Sequence, residues 1–428
     1  MRGVYVLLLI SLLGYTGRVS GQESVTITQC YEWARANYPQ IHQMGLIDQT
    51  ERYSLSNVGK AWLPQLSVSG KASYQSDVTK LPLDGDKISS LLPGFEIPSL
   101  SKDQYQVVAQ VDQTIWDGGS TRSARALTRA EAIANREQLE SELYALNDRV
   151  NQIYFGCLLQ DELIRQNALL QKELQVNIER IEAMMENGVA NQSDLESMEV
   201  ELLNARQNEI ELKASRTVYR QMLATFINKP LTDQVVLKTP ESPERSLSTQ
   251  INRPELRALD AKSEWIETQN KQVTAGLMPR IGAFVQGGYG RPGLNMLEDG
   301  WEPYYVAGVR LSWNLGKLYT LKNDRRKIEV SRRQIDVQRE TFLFNTRLQL
   351  LQQNTEIKKM TDLMRADDDI IRLRTSIKQA AEVKLENGVI SVTDLIREIN
   401  AEDMARQTAA AHRVQRLMTI YNYMYTTN

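Results

Sequence analysis

Four short stretches of the chain alternate between apolar and polar residues. A period of two residues is typical of a β-strand that has one apolar face and one polar face. The clearest alternation runs from Leu66 to Gln75, where apolar or small side chains occupy every even position. The pattern therefore predicts four strands, at about residues 65–78, 104–117, 280–290 and 303–315.

Two long stretches instead follow a helical pattern. No proline lies between Gly119 and Asn187, and apolar residues within this stretch recur at alternating steps of four and three. These steps are typical of a coiled-coil seam. The seam residues are Leu139, Leu143, Leu146, Val150, Ile153 and Cys157. Roughly 68 residues at about 1.5 Å each predict a rod on the order of 100 Å long. A second rod is predicted from Lys317 to Glu386.

Each predicted rod ends at the same triplet, Asn-Gly-Val. Glycine favours the left-handed conformation that closes a helix. A second helix then begins. Its start is marked by Asn191 with Asp194 three residues later, or by Ser391 with Asp394, which is the spacing of a capping box. The pattern predicts two long helical hairpins. Their tips are Asn187, Gly188 and Val189 in the first hairpin and Asn387, Gly388 and Val389 in the second.

The two halves of the chain repeat this order of elements. Similar sequence surrounds both tips, and a pair of prolines keeps its spacing upstream of the strands in each half. We expect a short helix between the prolines of each pair, capped by Asn37 or Asn252. The sequence therefore predicts an internal duplication, with a first structural repeat at residues 22–230 and a second at residues 231–428.

The N-terminus has the composition of an export signal. Arg2 precedes an apolar run from Val4 to Leu13, and small residues follow up to Gly21. An anchoring helix would need about twenty apolar residues, more than this run provides. We expect residues 1–21 to be a signal peptide that is cleaved after Gly21.

The composition excludes several classes of ligand. Lys and Arg total 51 and Asp and Glu total 53, so the chain has no excess positive charge for binding nucleic acid. Cys30 and Cys157 are the only cysteines, and we interpret both as unpaired packing residues. With two histidines besides, the sequence offers no metal-binding cluster and no cofactor motif.

Four strands are too few to close a barrel. A small soluble sandwich with one wet face is an alternative, but aromatic residues lie at the strand ends, where a membrane interface would place them. An open sheet would also expose two edges. The sequence thus implies a barrel shared among subunits. Residues in the polar phase are expected to face its lumen, among them Lys71, Gln106, Gln110, Asp112 and Arg310.

Basic residues cluster where the two rods begin. Helix N-termini disfavour cations, so these charges require another partner. Anionic lipid headgroups of the inner leaflet are one hypothesis, and a solvated face is the alternative. The residues are Arg122, Arg125 and Arg129 at the start of the first rod and Lys322, Arg325, Arg326 and Lys327 at the start of the second.

The order of these features resembles the TolC-type outer-membrane factors, also called the outer membrane efflux protein family. Members of this family are exit ducts of tripartite efflux pumps and of some protein secretion systems. The resemblance covers the whole mature chain. It is carried by Asn37-Tyr38-Pro39, Asn252-Arg253-Pro254, Thr114–Gly119, Leu311–Asn314 and the two Asn-Gly-Val tips.

The resemblance implies a mixed α and β membrane protein that forms a homotrimer in the outer membrane. Four strands per chain would make a trimeric twelve-stranded β-barrel, continuous with a long periplasmic α-helical coiled-coil tunnel. The tips would dock onto a periplasmic adaptor, or membrane fusion protein, and through it onto an inner-membrane pump. Outer-membrane lipid would surround the barrel.

The resemblance also places a constriction just past the second tip, although the residues differ from the family pattern. Relatives that close by polar bridges carry a tyrosine and an arginine where this chain has Leu385 and Ile390. The family pattern also has a second acidic residue one turn beyond Asp394, where this chain has Arg397. Any gate is therefore expected to be a ring of Asp394 with Arg397, and Asp194 is the equivalent residue in the first hairpin. A helix cap is an equal interpretation of Asp394.

The predicted function is a passive outer-membrane exit duct of a tripartite efflux or type I secretion system, opened by adaptor docking. An exported enzyme would need convergent catalytic groups, and the sequence shows none. A periplasmic coiled-coil adaptor or a structural envelope protein remains an alternative. An adaptor, however, has one hairpin per chain, and duplicated strand pairs argue against it.

Overall fold

A computed structural model describes residues 24–79, 100–242, 249–296 and 298–428. The predicted signal peptide at residues 1–21 lies outside the described residues. The elements along the chain are β1 (Ser24–Val25), α1 (Ile27–Asn37), α2 (Gln43–Gly59), β2 (Gln65–Tyr74), β3 (Asp103–Trp116), α3 (Ser120–Tyr144), α4 (Leu146–Glu186), α5 (Gln192–Ile227), β4 (Val236–Leu237), α6 (Pro254–Ala275), β5 (Arg280–Arg291), β6 (Glu302–Ser312), α7 (Lys317–Glu386) and α8 (Val392–Thr427).

The chain folds into two compact units, and each takes segments from both halves of the sequence. The sheet unit comprises residues 43–138 and 255–340. The hairpin unit comprises the residues up to 42 together with 139–254 and 341–428. Among the residues that the structure describes, no helix is both long enough and apolar enough to cross a membrane.

The sheet unit contains one antiparallel sheet with strand order β2-β3-β5-β6. Directly paired residues share a face of the sheet, so the register shows which side chains lie together. Leu66 pairs with Val111, which pairs with Val285, and this row belongs to a continuous apolar face. Most of that face is exposed within the single chain, including Val68, Tyr305, Val309 and Leu311. Because no other layer of the described chain covers this apolar face, it requires an apolar environment rather than water.

The predicted seam forms the core of the first rod. Leu139, Leu143, Leu146, Val150, Ile153 and Cys157 are all buried. The rod itself is not one helix, because α3 and α4 are separated at Ala145. Ala145 keeps helical angles, with φ −61° and ψ −17°, but its amide nitrogen is 3.4 Å from the Ser141 carbonyl oxygen. The hydrogen-bond ladder loosens there although the backbone stays helical.

A small parallel pairing between β1 and β4 was not predicted from the sequence. Tyr154 supports it, because the buried hydroxyl lies 2.9 Å from the Val25 carbonyl oxygen and 2.6 Å from that of Lys238. The core around Tyr154 includes Cys30 and Cys157, which are free and buried. Burial raises the pKa of each thiol to about 12.

The prediction that Asn37 caps a helix is wrong. Helix α1 ends at Asn37, and a short 3-10 turn at Pro39–His42 precedes α2. The Asn37 side-chain amide instead donates to the carbonyl oxygens of Thr225 and Phe226, each at 3.2 Å. These carbonyls lie in the last turn of α5, where helix carbonyls lack partners within the helix.

Candidate functional site

Both hairpin tips have the same backbone geometry. Gly188 and Gly388 adopt left-handed φ angles of 68° and 67°. The amide of Gly388 donates to the Leu385 carbonyl at 2.9 Å, and the amide of Val389 donates to the Lys384 carbonyl at 2.8 Å. The corresponding bonds of the first tip are both 2.9 Å. This pair of bonds is a Schellman motif, which satisfies carbonyls that a helix end leaves without partners.

The asparagine of each tip reinforces this ending. The Asn187 side-chain amide donates to the Ala183 carbonyl at 2.8 Å, and that of Asn387 donates to the Val383 carbonyl at 2.7 Å. Val189 and Val389, which follow the glycines, are 57% and 68% exposed. Each tip therefore presents an apolar side chain from a backbone that is fixed by hydrogen bonds.

The helices that follow the tips begin with complete capping boxes. Asn191 accepts from the Asp194 amide at 3.1 Å, and the Asp194 carboxylate accepts from the Asn191 amide at 3.1 Å. In the second hairpin, Ser391 and Asp394 make the same two bonds at 3.2 Å. The Ser391 hydroxyl also donates to Asp394 at 2.7 Å.

Asp394 is held as a carboxylate by these contacts. Its hydrogen bonds with the Ser391 side chain and backbone lower the pKa of the carboxyl, and Arg397 adds to the effect. The Arg397 Nη2 atom lies 3.5 Å from Asp394 Oδ1, and its side chain is 71% exposed. The cap role of Asp394 is thus present in the single chain. A gate role for Asp394 and Arg397 stays a prediction.

The two tips are joined by a shared apolar core. Side chains from four helices of the hairpin unit meet there, and Leu395 and Ile399 are almost completely buried. Leu385, at one of the positions where the sequence departs from the family pattern, also lies in this core. Its place there explains why an apolar residue suits position 385. The core comprises Leu174, Ile178, Ile181, Met198, Leu202, Ala205, Ala381, Leu385, Val392, Leu395, Ile396 and Ile399.

Further from the tips, a buried ionic network also connects the two hairpins. Glu402 is 2% exposed, and its carboxylate binds Lys378 at 2.6 Å and Arg406 at 2.5 Å. Thr375 donates to the same carboxylate at 2.5 Å. Lys378 reaches across to Glu173 of α4. Sequence reasoning missed the link between the hairpins because Glu173 lies in the first half of the chain and its partner Lys378 lies in the second.

The network sets the ionisation of its members. Burial opposes the charged form of Glu402, but hydrogen bonds from Lys378, Thr375 and Arg406 hold its pKa below the usual range. Asp403 is different, because among the described residues its side chain is hydrogen-bonded to Gln407 alone and burial raises its pKa to about 6. The network therefore favours the ionised form of Glu402, whereas burial disfavours the ionised form of the neighbouring Asp403.

The structure places the five residues expected to face a lumen on the polar face of the sheet. Lys71 pairs with Gln106 across β2 and β3. The Gln110 side-chain amide donates to Asp112 at 2.7 Å, and Arg310 lies 3.7 Å from the same carboxylate. This face carries mainly polar and charged side chains, and a small cavity of about 290 Å³ that contains Asp112 and Arg310 lies at one end of it.

The chain has recognisable relatives at the level of sequence profile and fold. Residues 30–229 match the profile of a family described as outer membrane efflux protein. No curated protein sequence matches the chain significantly.

Three solved channels illustrate the likeness in fold. CusC, whose crystal structures concern folding and transmembrane channel formation, is 13% identical, with 94% of this chain and 92% of that chain covered and a TM-score of 0.66. The outer membrane protein VceC of Vibrio cholerae is 12% identical, with 93% and 95% covered and a TM-score of 0.62. The open-state MtrE outer membrane channel of Neisseria gonorrhoeae is 14% identical, with 94% and 88% covered and a TM-score of 0.62.

These comparisons confirm the predicted fold class. The chain has the fold of channel proteins in which strands form a barrel and long helical hairpins form a tunnel. This chain contributes one four-stranded sheet and two helical hairpins.

Proposed function

We propose that this chain, which belongs to the outer membrane efflux protein family, is the outer-membrane exit channel of a tripartite pump. Members of this family are passive channels rather than enzymes, and they extend from the outer membrane into the periplasm. Membership also implies trimer assembly and association with other components of the pump.

The partner that docks at the tips is proposed to be a periplasmic adaptor, which connects the channel to an inner-membrane pump. The matching, exposed geometry of the two tips supports this proposal more than any other observation. Gly188 and Gly388 have no side chain, and each is followed by an exposed valine. A helical hairpin of another protein could therefore approach the tip backbone closely. The match also supports residues 22–230 and 231–428 as two copies of one repeat.

Asp394, Arg397 and Asp194 are proposed to form the constriction, with Asp194 of the first hairpin contributing less than Asp394 of the second. In a trimer, three copies of Asp394 around one axis would repel one another unless Arg397 or a bound cation offset their charge. Lys71, Gln106, Gln110, Asp112 and Arg310 are proposed to line the wet interior of the barrel. Outer-membrane lipid would cover the opposite, apolar face of the sheet.

Val389→Arg tests the docking proposal. Val389 is exposed and lies outside the left-handed position, so this substitution adds charge and bulk at the tip without backbone strain. We expect efflux to fall to the level of a strain that lacks the channel, while the detergent-extracted trimer remains intact.

Gly388→Asn is the matched control. Asparagine tolerates the left-handed conformation, and a Cβ at position 388 would meet nothing within 4 Å. This variant should retain efflux. Normal efflux in Val389→Arg would contradict docking at the tip, and so would a failure of that variant to assemble.

A further inference from the structure

The sheet unit contains a cavity of about 900 Å³ between the first turns of α3 and the end of α6. Trp62, just before β2, and Met278, just before β5, also line it. The register pairs Gln65 with Asp112 and Arg280 with Ser312. The starts of β2 and β5 therefore lie at the same end of the sheet as the ends of β3 and β6. The cavity sits at this end, where the strands give way to helices.

The wall of the cavity is strongly basic. Arg122, Arg125 and Arg129 share one face of α3, because they are three and four residues apart, and Lys271 of α6 joins them. All four side chains are exposed. Among the described residues, none of the four forms an ion pair. Arg122 lies in the first turn of α3, where the helix dipole disfavours positive charge.

The single acidic residue in the wall does not neutralise these cations. The Asp117 carboxylate accepts from the Gly119 amide at 2.9 Å and from the Thr121 amide at 2.6 Å. Both of its oxygens are therefore committed to the start of α3. Arg129 and Lys271 also border a neighbouring cavity that contains Asp260 and Glu264, and Asp260 is paired with Arg339. Within the basic cavity itself the cations outnumber the acidic residues by four to one, so the cavity is complementary to an anion.

The size and the remaining lining indicate an anion with an apolar part. A volume of about 900 Å³ lies near the upper end of the range of roughly 300–1,000 Å³ for small-molecule sites. Trp62 is 40% exposed and Met278 is 42% exposed. A phosphate ion alone would use the arginines but leave these apolar surfaces in water. The charged headgroup of an amphiphile would contact the arginines, and its apolar chain would contact Trp62 and Met278.

The basic cavity borders the polar face of the sheet, because Asp117 and Thr121 line both it and a second cavity there. The second cavity is the one of about 290 Å³ that contains two of the proposed lumen residues. None of the strand residues on the polar face lines the basic cavity. The choice of a lipid as the ligand therefore rests on the apolar surfaces of Trp62 and Met278 beside the cations.

We propose that the basic cavity binds the phosphate headgroup and upper acyl chain of an anionic phospholipid from the inner leaflet of the outer membrane. Arginine suits this role because its guanidinium binds phosphate oxygens in a bidentate manner. The inference rests on the proposed function, since it needs the sheet to lie in the membrane. One lipid per subunit would anchor the end of the sheet at the level of the headgroups.

Native mass spectrometry of the detergent-solubilised protein, titrated with phosphatidylglycerol, tests the proposal. We expect three tightly bound lipids per trimer and much weaker binding of phosphatidylcholine. The triple variant Arg122→Gln, Arg125→Gln and Arg129→Gln should weaken binding on the order of 100-fold, because each basic residue near a lipid phosphate contributes about fivefold. Trp62→Ala should weaken binding of phosphatidylglycerol while leaving binding of water-soluble glycerophosphate unchanged.

The matched control is Lys322→Gln, Arg325→Gln and Arg326→Gln, which removes the same charge from exposed positions of α7 outside the cavity. Equal loss of lipid binding in both triple variants would overturn the proposal. Displacement of the lipid by millimolar inorganic phosphate would also overturn it in favour of a free-anion site. The triple variant Arg122→Lys, Arg125→Lys and Arg129→Lys retains the charge but loses the bidentate geometry. Its binding should lie between that of the wild type and that of the glutamine variant, and it tests the site if the glutamine variant fails to assemble. Extraction of the wild type as a trimer in the same spectra tests the proposed function independently.

Discussion

At the residue scale, sequence motifs predicted the structure correctly where their hydrogen bonds join residues only a few positions apart. The Asn-Gly pairs predicted helix endings, and both glycines adopt left-handed angles. The aspartates three residues after each N-cap predicted capping boxes, and both boxes are complete. Asn37 failed as a predicted cap because its partners lie on a distant helix. A sequence window cannot contain such a partner.

Asp394→Asn separates the cap role from the gate role. Asparagine keeps most of the hydrogen bonds of the cap but removes the charge. If a ring of Asp394 guards the tunnel mouth, single-channel conductance in planar bilayers should rise and block by cations should weaken. Asp194→Asn is the control, and it should change conductance much less. Equal, small effects on conductance, with only thermal stability falling, would leave both aspartates as helix caps.

Asp403 should make the protein less stable as pH rises from about 4 to 6. Burial raises its pKa to about 6 in the folded chain, so the folded state binds more protons than the unfolded state within this window. The stabilising effect of the protonated form is therefore lost as pH rises through the folded pKa. Asp403→Asn keeps a partner for Gln407 and removes the cost of burying a charge.

The thermal melting temperature of this variant in detergent should exceed that of the wild type at pH 7. The difference in melting temperature corresponds to a difference in the free energy of unfolding on the order of 1–3 kcal/mol. It should shrink towards pH 4. The neighbouring Glu402 has a lowered pKa and contributes in the opposite direction. A difference that is constant from pH 4 to pH 7 would contradict the assignment to Asp403.

At the element scale, periodicity predicted which residues pack but not where elements interrupt or connect. The seam of the first rod is buried at all its predicted positions. The break at Ala145 has no proline or glycine to signal it, and the β1–β4 pairing involves only two residues from each strand. The ionic network between the hairpins was equally hidden, since its charges look like ordinary helix surface. Packing between distant segments decides these features.

Lys378→Met should destabilise the hairpin unit strongly. The substitution leaves Glu402, which is 2% exposed, with Arg406 as its single cation and leaves Glu173 without Lys378. Breaking a buried pair by removing one partner typically costs about 3–5 kcal/mol. Glu173 is more exposed than Glu402, so we expect the lower part of that range.

A double-mutant cycle measures whether the two hairpins are coupled through this lysine. Adding Glu173→Gln to Lys378→Met should cost less than the sum of the two single changes, because the second change removes a charge that is already unpaired. Arg372→Met is a control on the same helix, since Arg372 pairs at the surface with Asp369. Strict additivity in the thermal unfolding of the trimer would show that Glu173 and Lys378 do not couple the hairpins.

At the scale of the whole molecule, the sequence predicted the architecture because its signals are repeated. Alternation marked the strands, heptad spacing marked the first rod, and the predicted internal repeat offered each of these elements a second time. The sequence could not identify the basic cavity, which combines residues from separate segments of the sheet unit. The exposed apolar face of the sheet is explained by assembly of several copies in a membrane. The sequence of one chain shows neither the other copies nor the lipid.

The most direct test of the account is the native mass of the protein extracted from outer membranes with detergent. Four strands leave two open edges and an exposed apolar face, so a stable species needs neighbouring copies and an amphiphile. We expect a mass three times that of one processed chain, and solubility that depends on detergent. A stable monomer that stays soluble without detergent would contradict the account.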